Sequence, residues 1–234
     1  MRTEQRGVPA HEARSVNEQD AWWTVARALV GAAAGAAFRI RVTGVANIPR
    51  SGGALLAYNH VSVLDAIFVG LPVVRRDRII RCFALSEDFE RPLLGRALRG
   101  LDQVPIRRGA GVWSPLEELA DVVRGGWLAG IAPEGTVGSG DELLPIQKGA
   151  ARIALLAGGP VIPVGLWGPQ RRWPKAGLHY RLPARPVVGV AFGEAICVEG
   201  DPKCRPDVQS LTDRLCEAMC AQVALARRLA PDPA

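Results

Sequence analysis

The stretch ALLAYNHVSVLDAIFVG, residues 54–70, decides how the chain is read. Ala54 to Ala57 is a short unbroken apolar run, the pattern of a strand buried on both faces. Polar groups then interrupt it at Asn59 and His60, and helical spacing takes over from Ser62 to Gly70. Ser62 is a natural N-cap, with Asp65 three residues later in the first turn. A strand thus runs into a helix through His60, at the strand's C-terminal end, where open α/β sheets gather their functional groups.

The alternation continues on both sides. Strands are expected over Arg39–Val45 (RIRVTGV, strictly alternating), Ile79–Leu85, Gln103–Ile106, Trp127–Ala132, Val161–Leu166 and Pro186–Phe192. Helices are expected over Pro92–Leu98, over Ser114–Arg124 with Pro115 at its first position, over Gly149–Ala157 and over Asp207–Leu229. Such an order predicts an α/β fold, a mixed, mostly parallel sheet flanked by helices. An N-terminal amphipathic or hydrophobic helical segment precedes it, AWWTVARALVGAAAGAAF, Ala21–Phe38, with Asp20 as its N-cap. The expected divisions are a frayed polar stretch over 1–20, the helical segment over 21–38 and one catalytic-sized domain over 39–234.

The helical segment approaches the length of a membrane span, but Arg27 interrupts it and its second half is mostly Ala and Gly. Trp22 and Trp23 mark one end, and Arg39 and Arg41 the other, as in helices lying at a lipid–water interface. Packing on the chain's own domain is the alternative. Glu4, Glu12, Glu18 and Asp20 precede the apolar run, which is not the pattern of a secretory signal.

Composition narrows the partners. With 48% hydrophobic and 22% charged residues, the chain is not a disordered one. Its 29 Lys and Arg against 23 Asp and Glu favour anionic partners. The basic residues are dispersed, and no basic helix is interleaved with aromatics, so nucleic acid is set aside. The cysteines, Cys82, Cys197, Cys204, Cys216 and Cys220, are odd in number and form no C-x-x-C pair. That argues against a disulfide framework or a metal site and for a reducing compartment. Cys216 and Cys220, four apart, are expected to pack together on one helix face.

His60 is the residue with chemistry to offer. An Asp65 carboxylate holding one imidazole nitrogen would leave the other as an oriented proton acceptor. The same Ser62-x-x-Asp65 spacing is that of a capping box, in which Asp65 serves the helix alone. Spacing leaves both readings open.

Asn59-His60-x-x-x-x-Asp65 resembles the signature of the glycerolipid acyltransferase family, whose best-known members make phosphatidic acid from 1-acylglycerol-3-phosphate. Further blocks follow in the family's order. VPIRR is similar to the second, with its basic residue at Arg107; APEGTVGSG resembles the third, at Glu134, Gly135 and Thr136; QKGAARIA places Lys148 and Gly149; and VIPVGL resembles the fourth, with Pro163 at the proline position. The likeness covers about residues 38 to 200.

That resemblance implies an O-acyltransferase in phospholipid biosynthesis, taking its acyl chain from acyl-CoA or acyl-carrier protein, with no further cofactor and no metal. His60 and Asp65 would be catalytic. Asn59, Ser62, Arg107, Glu134, Gly135, Thr136 and Lys148 would serve substrate binding, Arg107 and Lys148 as phosphate partners. The substrate hydroxyl acts as nucleophile, in keeping with the lack of a G-x-S-x-G elbow. Backbone N–H groups near Gly135 or at the start of the helix after His60 would receive the oxyanion. The resemblance also implies work at a membrane surface, on the cytoplasmic face of the cell membrane, with lysophosphatidic acid as acceptor. One departure bears on that acceptor: the family often has a basic residue after E-G-T, and here it is Val137. Arg152 or Arg108 could compensate, or the acceptor is another lysophospholipid or lipid hydroxyl. A non-catalytic peripheral membrane protein and a thioester hydrolase are the remaining alternatives.

Overall fold

The computed structural model describes residues 21–100, 103–106, 113–138, 142–173 and 185–231. Seven strands among them form one sheet: β1 (Arg39–Thr43), β2 (Ala54–Tyr58), β3 (Ile80–Leu85), β4 (Val104–Ile106), β5 (Leu128–Ile131), β6 (Val161–Trp167) and β7 (Val187–Phe192), in the order β1-β7-β6-β2-β5-β3-β4. Every pairing is parallel except β6 with β7. The expected mixed, mostly parallel sheet flanked by helices is the architecture found. Pro105, which has no N–H for a ladder, lies in β4 at the sheet's edge.

The apolar run that opened the sequence reading is the central strand. β2 pairs with β5 on one side and β6 on the other, and Ala54 to Ala57 are wholly buried. Its side chains alternate between two cores, as strand geometry requires. Leu56 and Tyr58 face Phe68, Val69 and Val73 of helix α2 (Asp65–Val74). Leu55 and Ala57 face the helices of the other layer, α5 (Trp113–Arg124), α6 (Gly149–Ala157) and α7 (Arg205–Leu229), through Leu119, Ile153, Leu215 and Met219.

Gly165 of β6 and Gly189 of β7 let α7 approach closely, since a Cβ at either would overlap the backbone of Gln222 or Ala226. Cys216 and Cys220 sit beside the buried stripe of α7 rather than on it. Cys220 is exposed, because the packed positions are Val208, Leu211, Leu215, Met219 and Val223.

Element ends moved by a few residues. The helix expected from Ser62 begins at Asp65 and runs on through Pro72 to Val74. The helix expected from Ser114 begins at Trp113, which puts Pro115 at its third residue. A single-turn helix, α3 (Ser86–Phe89), precedes α4 (Pro92–Gly100) and was not expected.

The N-terminal segment forms α1 (Ala21–Ala37), and the expected cap at Asp20 lies outside the described residues. Just past its end, Phe38 is buried edge-on against Phe68, with ring centroids 4.9 Å apart. The helix packs against α4 and β1. Its outer face leaves Val25 and Leu29 in solvent, and α4 likewise exposes Leu93 and Leu94. No helix among the described residues is long and apolar enough to cross a membrane.

Candidate active site

β2 stops at Tyr58, and the next residue turns the chain. Asn59 is buried and clamps β6 at two points: its Nδ2 donates to the Leu166 carbonyl (3.0 Å) and its Oδ1 accepts the Leu166 N–H (2.7 Å). The amide side chain thus satisfies backbone groups that the ended strand no longer reaches. His60 is released into the turn beyond.

The His60 Nδ1 lies 2.9 Å from Asp65 Oδ2. That oxygen also accepts the N–H groups of Val61 (2.7 Å) and Ser62 (2.8 Å). The two readings left open by the spacing coincide here, because one carboxylate oxygen caps the turn and orients the imidazole. An ionised carboxylate only accepts, so Nδ1 carries the hydrogen and Nε2 is left with its lone pair. The His60 side chain is 28% exposed while that of Asp65 is fully buried, so the carboxylate is sealed and the ring is reachable. Burial raises the Asp65 pKa, against the opposing pull of the bonds from His60, Ser62 and Val61. Asp65 Oδ1 is buried with no hydrogen-bond partner among the described residues.

A second carboxylate holds the turn from outside. Glu134 Oε1 accepts the His60 backbone N–H (2.6 Å), and Oε2 accepts the N–H of Leu144 (2.9 Å). The Gly138 N–H closes the same junction on the His60 carbonyl (2.7 Å). Glu134 is buried, and burial raises its pKa too. Its two oxygens tie the E-G-T loop to the His60 turn. Gly135 and Thr136 are exposed at the loop's tip, where Gly135 takes the left-handed φ of 68° that glycine tolerates.

Ser62 is also occupied by backbone, donating to the Trp173 carbonyl (2.7 Å) and accepting from the Leu64 N–H (3.2 Å). The N-cap position of α2 belongs to Leu64, so Ser62 caps the turn before the helix instead. The oxyanion donors expected from sequence are mostly engaged: Val61 and Ser62 N–H on Asp65, and Gly135 N–H on the Ala132 carbonyl (3.1 Å).

The structure therefore brings together Asn59, His60, Ser62, Asp65 and Glu134. Lys148 is placed otherwise, lining a groove with Arg152, Lys203 and Arg205 that none of the His60 cluster lines. Arg107 and Arg108 lie outside the described residues. No cluster of three His, Cys, Asp or Glu able to hold a metal occurs among the described residues.

The Acyltransferase family model matches residues 39–167, a segment that carries the whole His60 cluster. The chain belongs to the acyltransferase family. Among its relatives is an uncharacterized protein of Mycobacterium tuberculosis, 28% identical over 196 residues, covering 68% of this chain and 52% of the relative. The 1-acyl-sn-glycerol-3-phosphate acyltransferase of Bacillus subtilis is 27% identical over 130 residues, 56% of this chain and 63% of that one. The chain thus spans about half the length of its mycobacterial relative. Among solved structures, the 1-acyl-sn-glycerophosphate acyltransferase PlsC from Thermotoga maritima superposes with a TM-score of 0.66, covering 87% of this chain and 78% of that one. At 23% identity the likeness is one of fold.

Sequence reasoning missed the partners of Glu134 and of Ser62, since both are set by residues distant in the chain. It also passed over Tyr58 and Cys82, which meet in the core beneath Asp65. Burial pushes the Tyr58 phenol well above 10, and burial pushes the Cys82 thiol up to about 12. Both stay neutral at working pH. The signal was Gly130, a glycine inside the apolar strand β5, where a Cβ would meet Cys82 Sγ at 2.5 Å.

Proposed function

We propose that this member of the acyltransferase family moves a fatty acyl chain from a thioester carrier to the free hydroxyl of 1-acylglycerol-3-phosphate, giving phosphatidic acid. The observation that carries the reading is the His60–Asp65 bond at 2.9 Å, which leaves the Nε2 lone pair as the ring's proton acceptor. The Bacillus relative's activity supports the choice of acceptor.

The acceptor hydroxyl oxygen attacks the thioester carbonyl as His60 Nε2 takes its proton. Asp65 keeps the ring in the right tautomer and stabilises the imidazolium, as the acid does in a serine-protease triad. The tetrahedral oxyanion then collapses, the C–S bond breaks, and the leaving thiolate takes the proton back from Nε2. The Val63 N–H, for which no acceptor is present among the described residues, is the amide of this turn open to the oxyanion. The carrier is acyl-CoA or acyl-carrier protein.

Lipid substrates call for a membrane surface. The exposed Val25, Leu29, Leu93 and Leu94 on the adjoining helices α1 and α4 support docking on a leaflet, and we assign that leaflet to the cytoplasmic face of the cell membrane. Val137 favours one second reading, transfer to a lysophospholipid other than the phosphate monoester.

A thioester-consumption assay tests both. Purified protein receives long-chain acyl-CoA and vesicles bearing either 1-acylglycerol-3-phosphate or other lysophospholipids. The expected result is transfer to the phosphate monoester, abolished in His60→Ala. Equal turnover by His60→Ala would sink the mechanism, and transfer only to other acceptors would establish the second reading.

A further inference from the structure

We propose that the groove between the first turn of α6 and the start of α7 binds the phosphate groups of coenzyme A, the nucleotide carrier of the acyl donor. The inference rests on the acyl-transfer reading above and assigns it a donor site. The groove has a volume of about 240 Å³ and is lined by Lys148, Arg152, Lys203, Arg205, Pro202 and Val208. Four of those six residues are cations and none is a carboxylate. The nearby acids are each engaged by backbone: Asp207 Oδ2 accepts the Asp201 N–H (2.8 Å) and Asp201 Oδ1 accepts the Lys203 N–H (2.8 Å).

Lys148, Lys203 and Arg205 form no ion pair among the described residues. Like charges so gathered repel one another, and a multiply charged anion is the ligand that relieves this. Each phosphate monoester brings about −1.5 to −2 near neutrality.

The groove also stands at a usable distance from the chemistry. The Gln147 N–H bonds the Pro133 carbonyl at 2.7 Å, and Glu134 Oε1 bonds the His60 N–H at 2.6 Å. Counting bonds along that path puts the Lys148 Cα no more than roughly 24 Å from that of His60. The pantetheine arm of coenzyme A matches four to five residues of extended chain, roughly 14–17 Å. With the Lys148 side chain and the His60 ring adding roughly 5–6 Å at the two ends, a nucleotide held in the groove can present its thioester at His60.

A membrane headgroup fits the groove less well. The exposed apolar side chains that would meet a leaflet are on α1 and α4, whereas Val208, the apolar wall here, is buried. A carrier protein would engage a wide surface rather than a small concavity.

The test uses the intact chain and adenosine 3′,5′-bisphosphate as probe, with inorganic phosphate beside it, both by calorimetry. Lys203→Glu and Arg205→Glu are compared with Arg228→Glu, an exposed residue at the far end of α7, roughly 35 Å away along the helix. Each groove variant is expected to weaken bisphosphate binding tenfold or more. The KM for acyl-CoA should rise in step, with kcat within twofold and the acceptor KM unmoved, while Arg228→Glu alters none of these. Bisphosphate binding that shifts no more than in Arg228→Glu would overturn the proposal. So would inorganic phosphate binding as tightly as the bisphosphate, a rise confined to the acceptor KM, or a rise seen only with acyl-carrier protein as donor. The calorimetry needs no turnover. Groove-dependent binding without acyl transfer would sink the function and keep the site.

Discussion

Replacing Asp65 by Asn separates what the carboxylate does for the chemistry from what it does for the fold. The amide is isosteric, and its oxygen can still accept the Val61 and Ser62 N–H groups that Oδ2 now holds at 2.7 and 2.8 Å. What is lost is the charge, 2.9 Å from the His60 Nδ1. At that separation, an imidazolium and a carboxylate attract by about 5–6 kcal/mol at an effective dielectric of about 20. The amide dipole keeps a little of this, so the barrier to acyl transfer should rise by about 4–5 kcal/mol, a loss of about 10³–10⁴ in kcat.

Stability should move the other way. Burial holds the Asp65 pKa above its ordinary value, so the folded protein binds this proton more tightly than the unfolded chain does. The stability this group contributes is full below the ordinary carboxylate pKa and declines as pH rises through the raised one. At pH 7 the buried charge is therefore a cost that Asn removes. The Tm of Asp65→Asn should equal or exceed that of wild type at pH 7, and the gap should close as pH falls toward about 4. Single-turnover transfer assays and scanning calorimetry across pH supply the two readouts. A kcat loss under tenfold, or a Tm several degrees below wild type at pH 7, would refute the reasoning.

Two further outcomes are expected. Asn59→Ala leaves the Leu166 N–H and carbonyl buried without their partner, which should cost about 2–4 kcal/mol of stability in denaturant titration; an unchanged midpoint would show the clamp to be dispensable. Leu29→Glu with Leu93→Glu, both on exposed side chains, should lower co-flotation with anionic vesicles while leaving Tm within a degree or two. Undiminished flotation would remove α1 and α4 from the membrane-facing surface.

Much of the site was legible because its centre is local. Asn59, His60, Ser62 and Asp65 lie within seven consecutive residues, and a strand that ends where a helix begins can arrange them in only a few ways. The roles of Glu134 and Lys148 were less so. From sequence both were expected to touch substrate. In the fold, Glu134 is taken up by the backbone of His60 and Leu144, and Lys148 joins residues of a helix start more than fifty positions away.

Hydrophobic period and turn chemistry are local quantities, so the amino-acid sequence alone determined most of the succession of strands and helices, the burial of the 54–57 run on both faces and the closeness of His60 and Asp65 in one turn. Tertiary structure decided the order of strands in the sheet, including the antiparallel β6–β7 pair. It decided which buried acceptor each backbone N–H around His60 finds, and that cations from α6 and the start of α7 share one groove. Those outcomes depend on which distant segments burial drives together, and no spacing along the chain encodes that.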